Sequence, residues 1–444
     1  MRNFLLKFNN ENKLNTIQGR LLGSFLWNSL GVVSSRGSLL IANILIARMV
    51  GIADYGALTI IITTILSVGV FVDLGLSMTG TKFISQYRIA DPAKIGNLLF
   101  FLGLTVFCTG LGVGAGLFFN APLVAEYLGA PHIAELIKIV SFLPIFMASS
   151  SLGLGLLAGL EQFKSLSFIN ILMGISNLLG MSLGAYLSGI SGVLWASLIL
   201  AVLNVVLITY AVKRSLAGYS VAVVPASIVR DFKKFMNFTL PALMIGLTYG
   251  PAVWFCNALL VKGDNGFVDV AIVGASMQWF AIAIFLPASL SSVVLPVSSN
   301  LATSTTNEAY RSMVIRSGVF AALLSLPIVV VISLLSPFIL GFYGEDFVHG
   351  WPVLVVTMIT GLFVSIQINI GNSLSAKGIV WSQLVFNILQ ALIFVGLTML
   401  WISHGAYGFV LAKGISYVFL LMSSVGCILY ATSNKLAYAV YSNN

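Results

Sequence analysis

Apolar residues run along this chain in long blocks, which short polar or glycine-containing segments interrupt. Each block is about as long as the roughly 20 residues that an α-helix needs to cross a bilayer. A transmembrane barrel would instead show alternating segments of about 10 residues, and an open strand cannot satisfy its backbone in lipid. The pattern therefore predicts twelve membrane-spanning helices. They cover residues 21–48, 57–80, 96–119, 133–158, 166–187, 191–211, 235–260, 268–298, 313–340, 351–375, 380–402 and 406–431.

Composition agrees with a chain that lies mostly in lipid. Of its 444 residues, 59% are hydrophobic and 8% are charged, whereas a soluble domain carries about 25% charged residues. So few charges cannot cover a surface that faces water. We therefore predict an all-α integral membrane protein.

The basic residues predict the topology. If the N-terminus is cytoplasmic, 17 of the 22 Lys and Arg residues lie on the cytoplasmic face and two on the opposite face. Cytoplasmic loops carry such an excess of basic residues. An even number of spans then places both termini in the cytoplasm. The net charge of +9 is thereby explained as a mark of topology, and we expect no nucleic-acid partner.

The longest connection, residues 212–234, is basic and lies at the midpoint of the chain. It predicts an N-lobe over 1–211, a cytoplasmic linker over 212–234 and a C-lobe over 235–444. At an offset of 218 residues, "LLAGLEQFKSLSF" (156–168) resembles "LSAKGIVWSQLVF" (374–386). Repeats of six spans are parallel, as in many transporters. Two six-helix lobes around a central cavity are therefore expected.

Signals of catalysis are mostly absent from the sequence. The three cysteines are separate in the chain and predict neither a disulfide framework nor a metal site. The three histidines fall in different predicted outer loops, and no metalloprotease, Walker or nucleophile-elbow motif is present. We expect no enzymatic activity, no catalytic residue, no bound metal and no cofactor.

One span contains a deep arginine. In "GVVSSRGSLLIANILIARMVG" (31–51), Arg36 lies about 22 Å from the start of the first span at 1.5 Å per residue. Ser24, Asn28, Ser35 and Asn43 lie on the same side of that helix. An ionisable residue at such depth usually faces a cavity or a partner. We predict that Arg36 faces a cavity; an ion pair with Asp73 is the alternative.

Two lysines also fall inside predicted spans. Lys413 lies about 12 Å from the outer face, and it either snorkels to the interface or faces the same cavity. Lys138 has Glu135 three residues earlier, which favours a local ion pair. Four amide residues also fall inside predicted spans, and they either line a cavity or bond neighbouring helices. They are Gln278, Gln367, Asn369 and Asn372.

The deep charges favour an anionic substrate. The planar fork of an arginine suits phosphate in particular. The candidate substrate-binding residues are Arg36, Lys413, Asn28 and Asn43. A site for cationic drugs would need carboxylates, and Asp73 is the acid that lies well inside a span.

Three segments resemble the Wzx-type polysaccharide flippases. "LIARMVGIADYGAL" (45–58) resembles their first outer loop, A-R-x-[LV]-G-x-x-x-[YF]-G, through Ala47, Arg48, Gly51, Tyr55 and Gly56. "FVDLGLSMTGTKFIS" (71–85) resembles their D-x-G segment through Asp73 and Gly75, and "FLPASLSSVVLPVSS" (285–299) resembles their eighth span through its two prolines. With the twelve-span plan, the resemblance extends over essentially the whole chain.

This resemblance implies the multidrug, oligosaccharidyl-lipid and polysaccharide exporter superfamily, with a V-shaped bundle of two lobes like that of the multidrug extruders. It implies a bacterial inner-membrane flippase that moves undecaprenyl-diphosphate-linked oligosaccharide units by alternating access, for O-antigen or another surface polysaccharide. It also implies contact with membrane lipids, a polysaccharide polymerase and a chain-length regulator. Coupling to a proton or sodium gradient is expected, with Asp73 as the candidate ion site.

Two other functions stay open on the sequence. A cation-coupled multidrug extruder would need an acidic cavity. A membrane enzyme such as a sugar polymerase would need a larger outer loop than this chain offers.

Overall fold

A computed structural model describes residues 17–219, 248–285, 287–288, 307–377 and 379–433. These residues form helices joined by short turns, and the described ranges contain no strand, so the all-α prediction is confirmed. The helices are α1 (Ile17–Val50), α2 (Ile52–Asp73), α3 (Leu76–Ala90), α4 (Ile95–Tyr127), α5 (Ala134–Val140), α6 (Leu143–Gly159), α7 (Phe163–Leu216), α8 (248–261), α9 (Gly266–Ala283), α10 (Asn307–Leu334), α11 (Ser336–Gly341), α12 (Trp351–Ala376), α13 (Val380–Leu400) and α14 (Gly405–Ser433).

Ten segments of the described ranges are long and apolar enough to cross a membrane. One of them, α7, has non-helical backbone angles at Ser188 and Gly189. A Cβ on Gly180 would lie 3.0 Å from Leu200, whereas residues twenty apart on one straight helix are about 30 Å apart. The chain therefore reverses at Ser188–Gly189, as the predicted spans 166–187 and 191–211 require. Parts of 235–260 and 268–298 lie outside the described residues, and the count of twelve stays a prediction.

The turn between α13 and α14 has the same backbone geometry as the turn inside α7. Gly189 has φ 57° and ψ −137°, and Gly405 has φ 55° and ψ −137°. In each case a second glycine follows three residues later, Gly192 and Gly408. These two turns lie 216 residues apart in the chain, close to the offset of 218 inferred from sequence, and they support the predicted relation between the halves.

Some predicted spans are interrupted in the structure. The span predicted over 57–80 is α2 followed by a break at Leu74 and Gly75, whose φ angles are 46° and 70°, and then α3. The spans predicted over 133–158 and 313–340 are likewise two helices each, α5 with α6 and α10 with α11. Hydropathy stays high across such breaks because they change the backbone direction without changing residue polarity.

The described residues fall into two compact units. Of the described residues, the first unit comprises 17–50 and 64–219, and the second comprises 51–63 and those from 248 onward. The beginning of α2 therefore belongs with the C-terminal helices. Most of the predicted linker 212–234 lies outside the described residues, and the predicted lobe boundaries stay predictions.

In the first unit, α1 lies along α7 with small residues at the contact. A Cβ on Gly31 would lie 2.8 Å from Cα of Ser167, and a Cβ on Gly174 would lie 2.8 Å from Cα of Ser35. Small residues let helix backbones approach closely in a membrane protein. They hold the stretch of α1 that contains Arg36 against α7.

In the second unit, α12 packs against α9, α10 and α14. Its buried Ile370 and Leu374 share an apolar cluster with Tyr310 of α10 and Ile428 of α14. Phe394 of α13 packs edge-on against Phe409 of α14, with ring centroids 5.3 Å apart. These contacts cover the side of α14 that faces α12 and α13.

Candidate functional site

The polar residues predicted to share one side of α1 have different surroundings in the structure. Ser35 packs against Gly174 of α7. Arg36, one residue later and about 100° further around the helix, is exposed. The Asn43 side-chain amide donates to the carbonyl of Leu39 at 2.8 Å, so it bonds its own helix. Asn28 lies in α1, and its side chain is outside the described residues.

Asp73 is the last residue of α2, directly before the break. Its carboxylate lies against the backbone N–H of Ser77 and the hydroxyl of Ser151, while its Oδ1 atom is buried without a hydrogen-bond partner among the described residues. Ser151 belongs to α6, so this acid joins three helices of the first unit. The structure thus gives Asp73 serine partners, and its predicted role as an ion site stays a prediction.

Lys413 lies on the face of α14 that packs against α9, and the residue is 7% exposed. Its Nζ atom donates to the sulfur of Met277 at 3.0 Å and lies 5.2 Å from the ring centroid of Phe280. Both partners belong to α9. The amine therefore does not snorkel to an interface; it is enclosed inside the second unit by uncharged groups.

The buried amides bond neighbouring helices. Gln278 of α9 donates to the hydroxyl of Tyr55 at 2.5 Å, and Tyr343 donates to Gln278 at 3.5 Å. Burial raises the pKa of Tyr343 well above its usual range, so this hydroxyl stays a neutral donor. Gln367 donates to Ser424 at 2.9 Å, which joins α12 to α14. For Gln278 and Gln367 the helix-bonding interpretation is confirmed.

The glycines of the resemblance occupy backbone positions that side chains disfavour. Gly51 and Gly75 have φ angles of 84° and 70° and join α1 to α2 and α2 to α3. Gly56 packs against the backbone of Phe267, where a Cβ would lie 2.6 Å from the carbonyl carbon. Arg48 is exposed near the end of α1. The motif glycines therefore shape the backbone.

The predicted local ion pair in the fourth span is present. Lys138 and Glu135 are 2.7 Å apart and three residues apart on α5, so this charge is balanced locally. No group of three His, Cys, Asp or Glu side chains in the described ranges could hold a metal ion.

Long apolar helices in two units, with a buried amine and an exposed arginine inside candidate spans, are those of a multi-pass membrane protein. The family model described as polysaccharide biosynthesis protein matches residues 45–352. The chain therefore belongs to this family. The resemblance to polysaccharide flippases inferred from its motifs is confirmed.

A curated relative agrees with this family. The chain is 21% identical over 397 residues to "EPS I polysaccharide export inner membrane protein EpsE" of Ralstonia solanacearum, a match that covers 88% of this chain and 89% of the relative. With its many candidate spans, the chain is a multi-pass inner-membrane protein.

Solved structures share the fold. An inward-facing multidrug resistance MATE family transporter of the MOP superfamily matches with a TM-score of 0.77 and 14% identity, covering 93% of this chain and 100% of that chain. The lipid II flippase MurJ in an inward closed conformation matches with a TM-score of 0.73 and 16% identity, covering 94% and 93%. At such identities these similarities establish the fold.

Proposed function

We propose that the chain is a flippase that moves undecaprenyl-diphosphate-linked oligosaccharide units across the bacterial inner membrane by alternating access. The units would serve O-antigen or another surface polysaccharide. Membership of the polysaccharide biosynthesis family carries this proposal. The export function named in the curated relative and the fold shared with a lipid II flippase support it.

The charges inside the spans favour an anionic substrate over a cationic drug. Asp73 is engaged by serine groups of its own unit, and Asp269 of α9 is engaged at the beginning of α14, where it lies against the backbone N–H of Ala406. Arg36 is an exposed residue of α1. An arginine is suited to a diphosphate because its donors form a planar fork.

Arg36 is the residue that we propose to hold the anionic head group, and the predicted role of Lys413 in substrate binding stays a separate proposal. The test is complementation of a strain that lacks the gene, with surface polysaccharide as the readout. Arg36→Ala should abolish or strongly reduce the polysaccharide, and Arg36→Lys should restore part of it because the charge remains. Arg311→Ala is the control, since Arg311 is also exposed in its helix but lies outside every motif.

Protein abundance in the membrane must be equal in all strains. Unchanged polysaccharide in the Arg36→Ala strain would remove Arg36 from the substrate site. Drug susceptibility of the deletion strain separates the flippase from a cation-coupled multidrug extruder, which is expected to change susceptibility without changing surface polysaccharide.

A further inference from the structure

Two amide side chains lie inside the part of α7 that precedes the reversal at Ser188–Gly189. Asn170 and Asn177 follow the first residue of that helix by about 10 Å and about 21 Å at 1.5 Å per residue, and both are half-buried. Neither side chain makes a hydrogen bond to another residue of the described ranges. Because hydrocarbon offers an amide no hydrogen bond, these two side chains need water or a ligand.

The contacts between α1 and α7 give the relative direction of the two helices. Gly31 of α1 meets Ser167 of α7, and Ser35, one turn further along α1, meets Gly174. Residue numbers therefore increase in the same direction on both helices. The line through these contacts is a reference from which the positions of other side chains on the pair follow.

Arg36 and the two amides lie on the same side of this helix pair. Arg36 lies about 100° around α1 from Ser35. Asn170 and Asn177 lie about 40° and about 60° around α7 from Gly174, in the opposite sense. Because the helices are parallel, opposite rotations from their line of contact lead to one side of the pair. With Ser35 and Gly174 at one level, Asn177 lies about 3 Å and Asn170 about 7.5 Å from the level of Arg36 along the helix axis.

The other side of the pair is apolar. Exposed large apolar residues lie there on both helices, and they include Leu30 and Ile41 of α1 and Ile175 and Leu179 of α7. Such a surface suits lipid, so the side that carries Arg36 and the amides faces away from lipid. A charged residue and unbonded amides at such depth indicate a water-filled space. We call this side of the pair, with Arg36, Asn170 and Asn177, the α1–α7 groove.

Building on the proposed function, we propose that Asn170 and Asn177 bind the sugar that is linked to the diphosphate, while Arg36 holds the diphosphate itself. Each amide offers two N–H donors and one carbonyl acceptor without a charge. Sugar hydroxyl and acetamido groups likewise donate and accept, so uncharged amides match a glycan, whereas a guanidinium matches phosphate. The α1–α7 groove therefore holds a sugar subsite beside the anionic head group.

Transport by the purified protein in liposomes tests the subsite, with dithionite quenching as the readout. One probe is NBD-labelled polyprenyl diphosphate without a sugar, and the other is the same lipid with one N-acetylhexosamine. Asn170→Leu and Asn177→Leu remove the amide and keep a side chain of similar size. Each should lower the ratio of sugar-bearing to sugar-free transport about three- to tenfold, because each removes about one hydrogen bond.

Asn120→Leu is the matched control. Asn120 lies on α4, and its amide donates to the carbonyl of Gly116 in the same helix at 2.7 Å, so the ratio should stay that of the wild type. Arg36→Ala should slow both probes, since both carry the diphosphate. If Asn170→Leu and Asn177→Leu slow the two probes equally, or slow neither, the sugar subsite is overturned.

Cysteine accessibility tests the α1–α7 groove without any substrate. The background is a variant in which Cys108, Cys256 and Cys427 are replaced by alanine. In membranes open to the reagent on both faces, the water-soluble thiol reagent MTSET should modify Asn170→Cys and Asn177→Cys. It should not modify Ile175→Cys, which lies at the same depth on the lipid side. Equal reaction rates at the three positions would overturn the proposal, whatever the protein transports.

Protection from MTSET covers the case in which a leucine variant fails to fold. The sugar-bearing probe should protect the cysteines at positions 170 and 177 more strongly than the sugar-free probe does. Equal protection by the two probes would overturn the subsite.

The experiments also separate the subsite from the proposed function. If both cysteines react but the wild type moves neither probe, the proposed lipid substrate is wrong, and the sugar subsite with it, while the water-filled groove stands. If the wild type moves both probes and the leucine variants keep its ratio, the flippase stands and the sugar subsite is wrong.

Discussion

Gln278 of α9 donates a hydrogen bond to the hydroxyl of Tyr55 at 2.5 Å, although the two residues lie 223 positions apart in the chain. Tyr55 is 2% exposed, and its ring packs edge-on against Phe347 with centroids 5.8 Å apart. This cluster holds the beginning of α2 among the C-terminal helices. The first family-like motif thus acts as an attachment point within the second unit.

Tyr55→Phe should destabilise the protein by about 1–3 kcal/mol, because it leaves the buried Gln278 amide without its acceptor. Thermal unfolding in detergent, followed by fluorescence-detected size exclusion, measures the effect. Tyr407→Phe is the matched control, since Tyr407 is exposed and its change should stay within about 0.5 kcal/mol. Equal midpoints for the two variants would show that the bond to Gln278 contributes nothing.

Gly56→Ala should be destabilising by about 1–3 kcal/mol, because the new methyl group would overlap the Phe267 backbone. Gly69→Ala is the matched control, because Gly69 lies on the same helix and has open space at its Cβ position. This variant should be neutral or stabilised by up to about 1 kcal/mol. The yield of folded protein and its unfolding midpoint check both. A Gly56→Ala protein as stable as Gly69→Ala would refute the close approach.

Gly405→Ala should weaken the turn before α14. Its φ of 55° costs a side-chain-bearing residue about 1–2 kcal/mol, and a Cβ there would lie 2.9 Å from Cγ of Asp269. Gly426→Ala, in the same helix with nothing within 4 Å, provides the comparison. The unfolding midpoint of Gly405→Ala should fall below that of the wild type, while Gly426→Ala should match or exceed it.

Lys138→Met should change the free energy of unfolding by only about 0.2–1 kcal/mol, because its pair with Glu135 is partly exposed. Unfolding at low and high salt measures the effect, and the difference between wild type and variant should shrink as salt screens the pair. A loss of several kcal/mol would mean that Lys138 has a deeper structural role than the pair indicates.

The class of protein could be predicted from sequence because it depends on averages over many residues. Long apolar blocks predict spanning helices whatever their exact ends, and the all-α membrane fold was predicted correctly. The local pair of Lys138 with Glu135 was also predictable, since three residues along a helix bring two side chains together. The motifs that include Arg48, Gly51 and Gly56 identified the family.

The breaks inside the predicted spans could not be read from hydropathy. Leu74 has a positive φ but is as apolar as its neighbours, so nothing in its polarity marks the end of α2. Lys413 presented a similar difficulty. Its position in the predicted span was compatible with a side chain that snorkels to the interface or faces a cavity. Only the packing of α9 against α14 showed that the amine is enclosed.

The sequence by itself determined that this chain is a helical membrane protein, which family it belongs to, and that positive charges lie deep in its spans. These properties follow from composition and local spacing. Only the tertiary structure decided that Tyr55 meets Gln278, that serine groups engage Asp73, and that uncharged groups surround Lys413. Such contacts join residues far apart in the chain. They depend on which helix faces pack together. The periodicity of one helix shows which residues share a face, but it does not show which other helix that face meets.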